Sequence, residues 1–161
     1  EIQRVSKNGN PKFIKFPRPI VKKSEFDFSF SGLKTALMYK IKEMDDSFKN
    51  ANINHIASSY QEAIVDTLLD RIDKISKKEN IKDVSIAGGV AANHRFREKS
   101  KLLSLKNNLN IYFPDIKLCT DNAGMIAMTG YHKFLSGFHS KLDLEAKPNL
   151  SLEWNFMSLD L

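Results

Sequence analysis

Gly88, Gly89, Asn93 and Asp121 are the residues whose types and spacing could do chemistry. Gly88 and Gly89 are the one adjacent glycine pair in the chain, and they close the β-prone run Val84-Ser85-Ile86-Ala87. A strand that stops there and turns into a helix brings bare backbone N–H groups toward whatever lies above the sheet edge. That geometry suits a nucleotide, because glycine has no Cβ to block approach and a helix N-terminus favours anionic groups. The same pair also suits a tight turn with no ligand. Asn93 favours the ligand, as a donor and acceptor placed just past the turn. Asp121 lies 28 positions further on, within Cys119-Thr120-Asp121-Asn122. Thr120, Asp121 or Asn122 could each cap the helix that follows, or Asp121 could serve a metal or phosphate site. Cys119 reads as a small buried hydrophobe, since no second cysteine or histidine stands at metal spacing. His55, His94, His132 and His139 form no zinc or metalloprotease pattern, and His94 lies nearest the crevice.

These residues need elements to hold them. Strand–turn–helix–strand over Val84–Phe113, with Pro114 closing it, argues for parallel pairing in an α/β sheet. The helix of that unit is expected from about Ala92 to Leu105, burying Phe96, Leu102 and Leu103. The strongest helix runs from about Ile53 to Ser76, with one apolar face (Ile56, Tyr60, Ile64, Leu68, Ile72) and a charged, solvated face that includes Glu62, Asp66 and Asp73. Asp45–Asn52 before it reads as a loop. Phe26-Asp27-Phe28-Ser29-Phe30 alternates as a half-buried strand does, and Ser31 can cap the helix after it. Phe13–Phe16 suggests a short edge strand. The segment after Asn122 is almost uncharged through Gly130, which predicts a buried helix whose N-terminus points into the glycine crevice.

Residues 1–25 form a basic, proline-containing segment, 26–140 the main body and 141–161 a tail with no clear periodicity. Residues 1–23 hold seven basic side chains against Glu1 alone, so they carry the chain's whole net charge of +6. Such a segment can steer a polyanion such as RNA, or simply face water, and no interleaved aromatics argue for base stacking. The 161 residues allow one domain with a real core, or two small lobes. No run approaches the roughly 18 apolar residues of a membrane span, and one cysteine makes a reducing cytoplasmic setting the expectation. The chain begins with Glu, as a piece of something longer would.

Three stretches together resemble the motifs of one family, in its order and spacing. They are Phe28-Ser29-Phe30-Ser31-Gly32-Leu33-Lys34-Thr35-Ala36, Gly88-Gly89-Val90-Ala91-Ala92-Asn93 with Arg97, and Cys119-Thr120-Asp121-Asn122-Ala123-Gly124-Met125-Ile126-Ala127. The family is TsaD, the tRNA N6-adenosine threonylcarbamoyltransferases once labelled O-sialoglycoprotein endopeptidases. The resemblance implies a ribonuclease-H-like lobe of the sugar kinase/Hsp70/actin superfold with inserted helices, here the C-terminal lobe alone. It implies that Gly88 and Gly89 admit a nucleotide to the backbone and that Asn93 binds the adenosine part of threonylcarbamoyl-AMP or ATP. Asp121 would be one ligand of a divalent metal, iron or a similar ion, beside a histidine pair from the upstream part. No His-x-x-x-His occurs in this chain, and one carboxylate makes a weak metal site. The implied partners are tRNA and, in a bacterium, TsaB-type and TsaE-type proteins. The resemblance implies an acyltransferase as the parent and an inactive lobe as the chain alone.

Three rival readings stand beside it: a kinase of the same superfold, a non-catalytic nucleotide-binding or interaction lobe, and the old metalloendopeptidase assignment. No nucleophile–base pair or complete metal motif supports the last of these.

Overall fold

A 33-residue helix, α3 (Asp46–Lys78), is the element on which the rest of the first unit is built. The structure is a computed structural model that describes residues 1–19, 27–142 and 145. The helix starts seven residues before the expected Ile53, so the loop read over Asp45–Asn52 is corrected to helix. Those turns lack an apolar stripe, but Asp45 caps them by accepting from the Phe48 N–H at 2.8 Å. Lys49 pairs with Asp46 at 2.6 Å, and Asn52 Nδ2 donates to the Phe48 carbonyl.

Two core clusters lie along α3. In one, Phe16 and Leu33 pack on Ala63, which brings α2 (Ser31–Lys42) and the N-terminal segment onto the helix. In the other, Val65 and Leu69 meet Phe96 of α4 (His94–Asn107), with Ile86, Leu103 and Phe113 around them. Leu102 is 61% exposed, contrary to expectation, because α4 turns its Phe96 and Leu103 side toward α3. The charged face of α3 is not simply solvated either. Glu62, Asp66 and Asp73 accept bonds from Arg95, Lys99 and Asn107 of α4.

The sheet is parallel, as expected from the crossover. β1 (Asp83–Ser85) pairs with β2 (Asn110–Tyr112), Val84 opposite Ile111. Asn108, left-handed at φ 52°, ends α4 before β2.

The N-terminal segment contains a short helix, α1 (Ile2–Val5), and is fastened along α3 rather than hanging from it. The Asn10 N–H donates to His55 Nδ1 at 2.9 Å, and the Ser58 and Ser59 hydroxyls donate to the Gly9 and Asn10 carbonyls. A Cβ at Gly9 would stand 2.1 Å from the Asn54 carbonyl oxygen, so the close approach needs glycine there. No strand forms at Phe13–Phe16, where Phe16 turns into the core instead. Residues 27–30 are not a strand: Phe28 and Phe30 stack on each other, centroids 5.9 Å apart, and both are exposed. Alternation needs a neighbouring strand edge to act on, and among the described residues none pairs here. Residue 26, and the tail beyond 145 with Trp154, lie outside the described residues.

Residues 122–161 form a second unit, whose described helix is α5 (Ala123–Leu135). Asn122 caps it by accepting from the Met125 N–H at 3.2 Å. The expectation of a buried helix is not met, for no residue of α5 is buried. An uncharged sequence makes burial favourable, but burial also needs a surface to pack against.

Candidate functional site

β1 leads into the glycine turn. Gly88 sits at φ 87°, ψ 173°, a region that only glycine occupies readily. The chain then makes a 3-10 turn over Gly89–Ala92, closed by Ala91 N–H to the Gly88 carbonyl at 2.9 Å, before α4 begins. A Cβ added at Gly88 or Gly89 would meet nothing within 4 Å. The space above the turn is open, so the protein's own packing does not require the bare backbone of Gly89.

Asn93 has two structural duties. Its Oδ1 accepts from the Phe96 N–H at 3.0 Å and caps α4, while its Nδ2 donates to Gln61 Oε1 at 2.9 Å. These two bonds fix which end of the carboxamide is oxygen. One N–H and one lone pair remain for a ligand. Gln3 of α1 accepts from the His94 N–H at 2.9 Å, so a second of the free N–H groups at this helix end is taken.

An open cleft of about 620 Å³ lies against the turn, with Gly89, Asn93, Gln61 and Gln3 among its lining residues. The rest of its wall is largely apolar, with Ile2, Ile64, Val65, Val90 and Ala92. Apolar walls with a few convergent polar groups suit a small organic ligand. A neighbouring cleft of about 670 Å³ shares Gln3 and Gln61 and carries Lys7, His94 and Arg95 in its walls.

Arg97 ties the turn to the loop that carries Asp121. Its Nε donates to the Ala91 carbonyl at 2.6 Å and its Nη2 to the Pro114 carbonyl at 2.5 Å, with Cys119 Sγ 3.4 Å away. The guanidinium also lies 4.8 Å over the Phe113 ring. Cys119 is 1% exposed, a buried small residue as expected. The 3-10 turn Ile116–Leu118 packs on the Gly89–Ala92 turn, and Asp121 follows three residues later. Asp121 is exposed and is not the helix cap, which is Asn122. Among the described residues, no three His, Cys, Asp or Glu side chains are grouped so as to hold a metal ion. The donors present therefore do not make a metal cage.

The sequence reading missed Gln61 and Gln3. Gln61 stands on the inner side of a long helix, next to Tyr60, and a polar residue at such a position was the signal available. Arg97 was within the recognised motif, but its bonds to three separate carbonyl and sulfur groups needed the fold.

The family model described as TsaD: tRNA N6-adenosine threonylcarbamoyltransferase matches residues 1–128. The chain is 43% identical over 152 residues to the tRNA N6-adenosine threonylcarbamoyltransferase of Thermosipho africanus, covering 94% of this chain and 46% of that protein. The protein of the same name from Kosmotoga olearia is also 43% identical over 152 residues, covering 94% and 44%. That of Carboxydothermus hydrogenoformans is 42% identical over 151 residues, again covering 94% and 44%. The chain thus spans about half the length of the curated relatives it matches.

Proposed function

The chain belongs to the TsaD family, and from that premise we propose that it is the C-terminal lobe of an enzyme that threonylcarbamoylates tRNA. The donor in this reading is threonylcarbamoyl-AMP and the acceptor is N6 of adenosine 37. N6 attacks the carbamoyl carbon and loses a proton, the bond from that carbon to the phosphate oxygen breaks, and AMP leaves with the electron pair. Such a reaction asks chiefly for positioning of the two substrates.

The observation that carries the reading is the open glycine turn beside a largely apolar cleft, with the Asn93 carboxamide held in one orientation at its edge. Gly88 and Gly89 let the nucleotide reach the backbone, and Asn93 offers its remaining N–H and lone pair to the adenosine. Arg97 holds the Ala91 and Pro114 carbonyls together beneath the site. The lobe is a ribonuclease-H-like one in this reading, supported by the parallel β1–β2 pair with its helical crossover. Asp121 contributes one carboxylate to a divalent metal such as iron, and the remaining ligands come from outside the described residues. In a bacterium its partners in this reading are TsaB-type and TsaE-type proteins, and its setting is a reducing cytoplasm. No helix among the described residues is long and apolar enough to cross a membrane.

The test is transfer of labelled threonylcarbamoyl from threonylcarbamoyl-AMP to tRNA, with divalent metal and the partner proteins present in every assay, by the chain alone, by the full-length protein, and by the chain with the upstream lobe added in trans. Activity is expected in the second and third and absent in the first. Turnover by the chain alone would overturn the half-enzyme reading, and no transfer by the full-length protein would overturn the function.

A further inference from the structure

Gln61 is 9% exposed and lies on α3, far in sequence from the glycine turn, yet its side chain reaches that turn. Its Oε1 accepts from Asn93 Nδ2 at 2.9 Å, and among the described residues its Nε2 makes no hydrogen bond. That Nε2 is not sealed in the core but is open to the clefts, where water or a ligand can accept from it. Gln61 also lines both clefts that flank the turn. A carboxamide that only had to cap α4 would not need it, since the cap is made by Asn93 Oδ1 with the Phe96 N–H.

We infer that Gln61 is a positioning residue for nucleotide binding, holding Asn93 Nδ2 so that the other N–H and the free lone pair of Asn93 meet the nucleoside. The inference rests on the nucleotide reading of the cleft. Without Gln61 the Asn93 Nδ2 loses the acceptor that fixes it, and the ligand then has to order the carboxamide on binding. The two residues should therefore act as one unit toward the ligand.

The experiment is a double-mutant cycle in the full-length protein, with AMP titrated by calorimetry against wild type, Asn93→Ala, Gln61→Met and the double variant. Gln61→Met is expected to weaken AMP about three- to tenfold. The double variant is expected to bind no more weakly than Asn93→Ala alone. Weakened binding in Asn93→Ala with unchanged binding in Gln61→Met overturns this inference and leaves the nucleotide reading standing, as does full additivity. Unchanged binding in Asn93→Ala overturns both. Gln61→Glu keeps an acceptor for Asn93 and guards against misfolding of the Met variant. With uncharged adenosine as the probe it is expected to stay within about twofold of wild type, and a larger loss counts against the inference.

Discussion

Asn93 carries two demands on one side chain, and a substitution can separate them. Alanine removes both the cap and the ligand contacts, so Asn93→Ala is expected to lower unfolding free energy by about 0.5–2 kcal/mol. Asn93→Asp keeps a capping oxygen and puts a negative charge at a helix N-terminus, so its stability should stay near wild type. Its carboxylate cannot donate to Gln61 or to a ligand. Urea unfolding of both variants checks the first effect and AMP affinity the second; equal stability of wild type and alanine would show that the cap contributes nothing. The glycine turn was legible because Gly88 needs a conformation that other residues avoid, which leaves a mark in the sequence. The cap was not, because the Gly89–Ala92 turn delays the helix beyond the expected Ala92 and moves the capping position onto Asn93.

Between elements, the strongest electrostatic feature is the clasp of α3 on α4. Arg95 grips both oxygens of Glu62 at 2.8 and 3.0 Å, Lys99 adds a third contact at 2.6 Å, and Lys99 reaches Asp66 as well. Arg18 of the N-terminal segment holds Asp66 from the other side at 2.5 Å. Burial alone would raise the Glu62 carboxyl, but these bonds outweigh it and hold it down to about 2. A carboxyl lowered on folding stabilises the protein above its unfolded value near 4.5, and that stabilisation is lost as pH falls toward 2. Glu62→Gln is therefore expected to cost on the order of 1–3 kcal/mol at pH 7, with the gap to wild type closing between pH 4.5 and 2. Urea midpoints of both proteins at pH 7, 5, 4 and 3 provide the check, and a gap that did not change with pH would remove the clasp as its cause. The individual helices were legible from their apolar spacing. Their charged contact was not, because Glu62 and Asp66 look like any solvated i,i+4 pair until Arg95 and Lys99, some 33 positions later, come to face them. The polar first turns of α3 hid for a related reason, since Asp45 and Asn52 hold them by hydrogen bonds that leave no hydrophobic period.

At the scale of the whole molecule, the second unit presents an apolar helix whose side chains are exposed among the described residues. In α5, Ile126 is 76% exposed, and Met125, Met128, Tyr131, Phe134 and Leu135 are exposed with it. The helix sequence was readable as one that favours burial, but composition does not specify the surface that covers it. Relatives of about twice this length have that much more chain with which to provide one. Exposed apolar side chains on one helix are costly in water and tend to find each other between molecules. The isolated chain is therefore expected to self-associate as its concentration rises and to bind a hydrophobic dye. Replacing Ile126 and Phe134 with lysine should reduce both effects while leaving the unfolding of residues 1–121, followed through exchange of the α3 amides, unchanged. Sedimentation velocity across a range of concentrations, with dye fluorescence alongside, measures this. A wild-type chain that stays monomeric and dark would mean that α5 finds enough cover within its own unit. An association that survives both lysines would instead place the adhesive surface elsewhere on the chain.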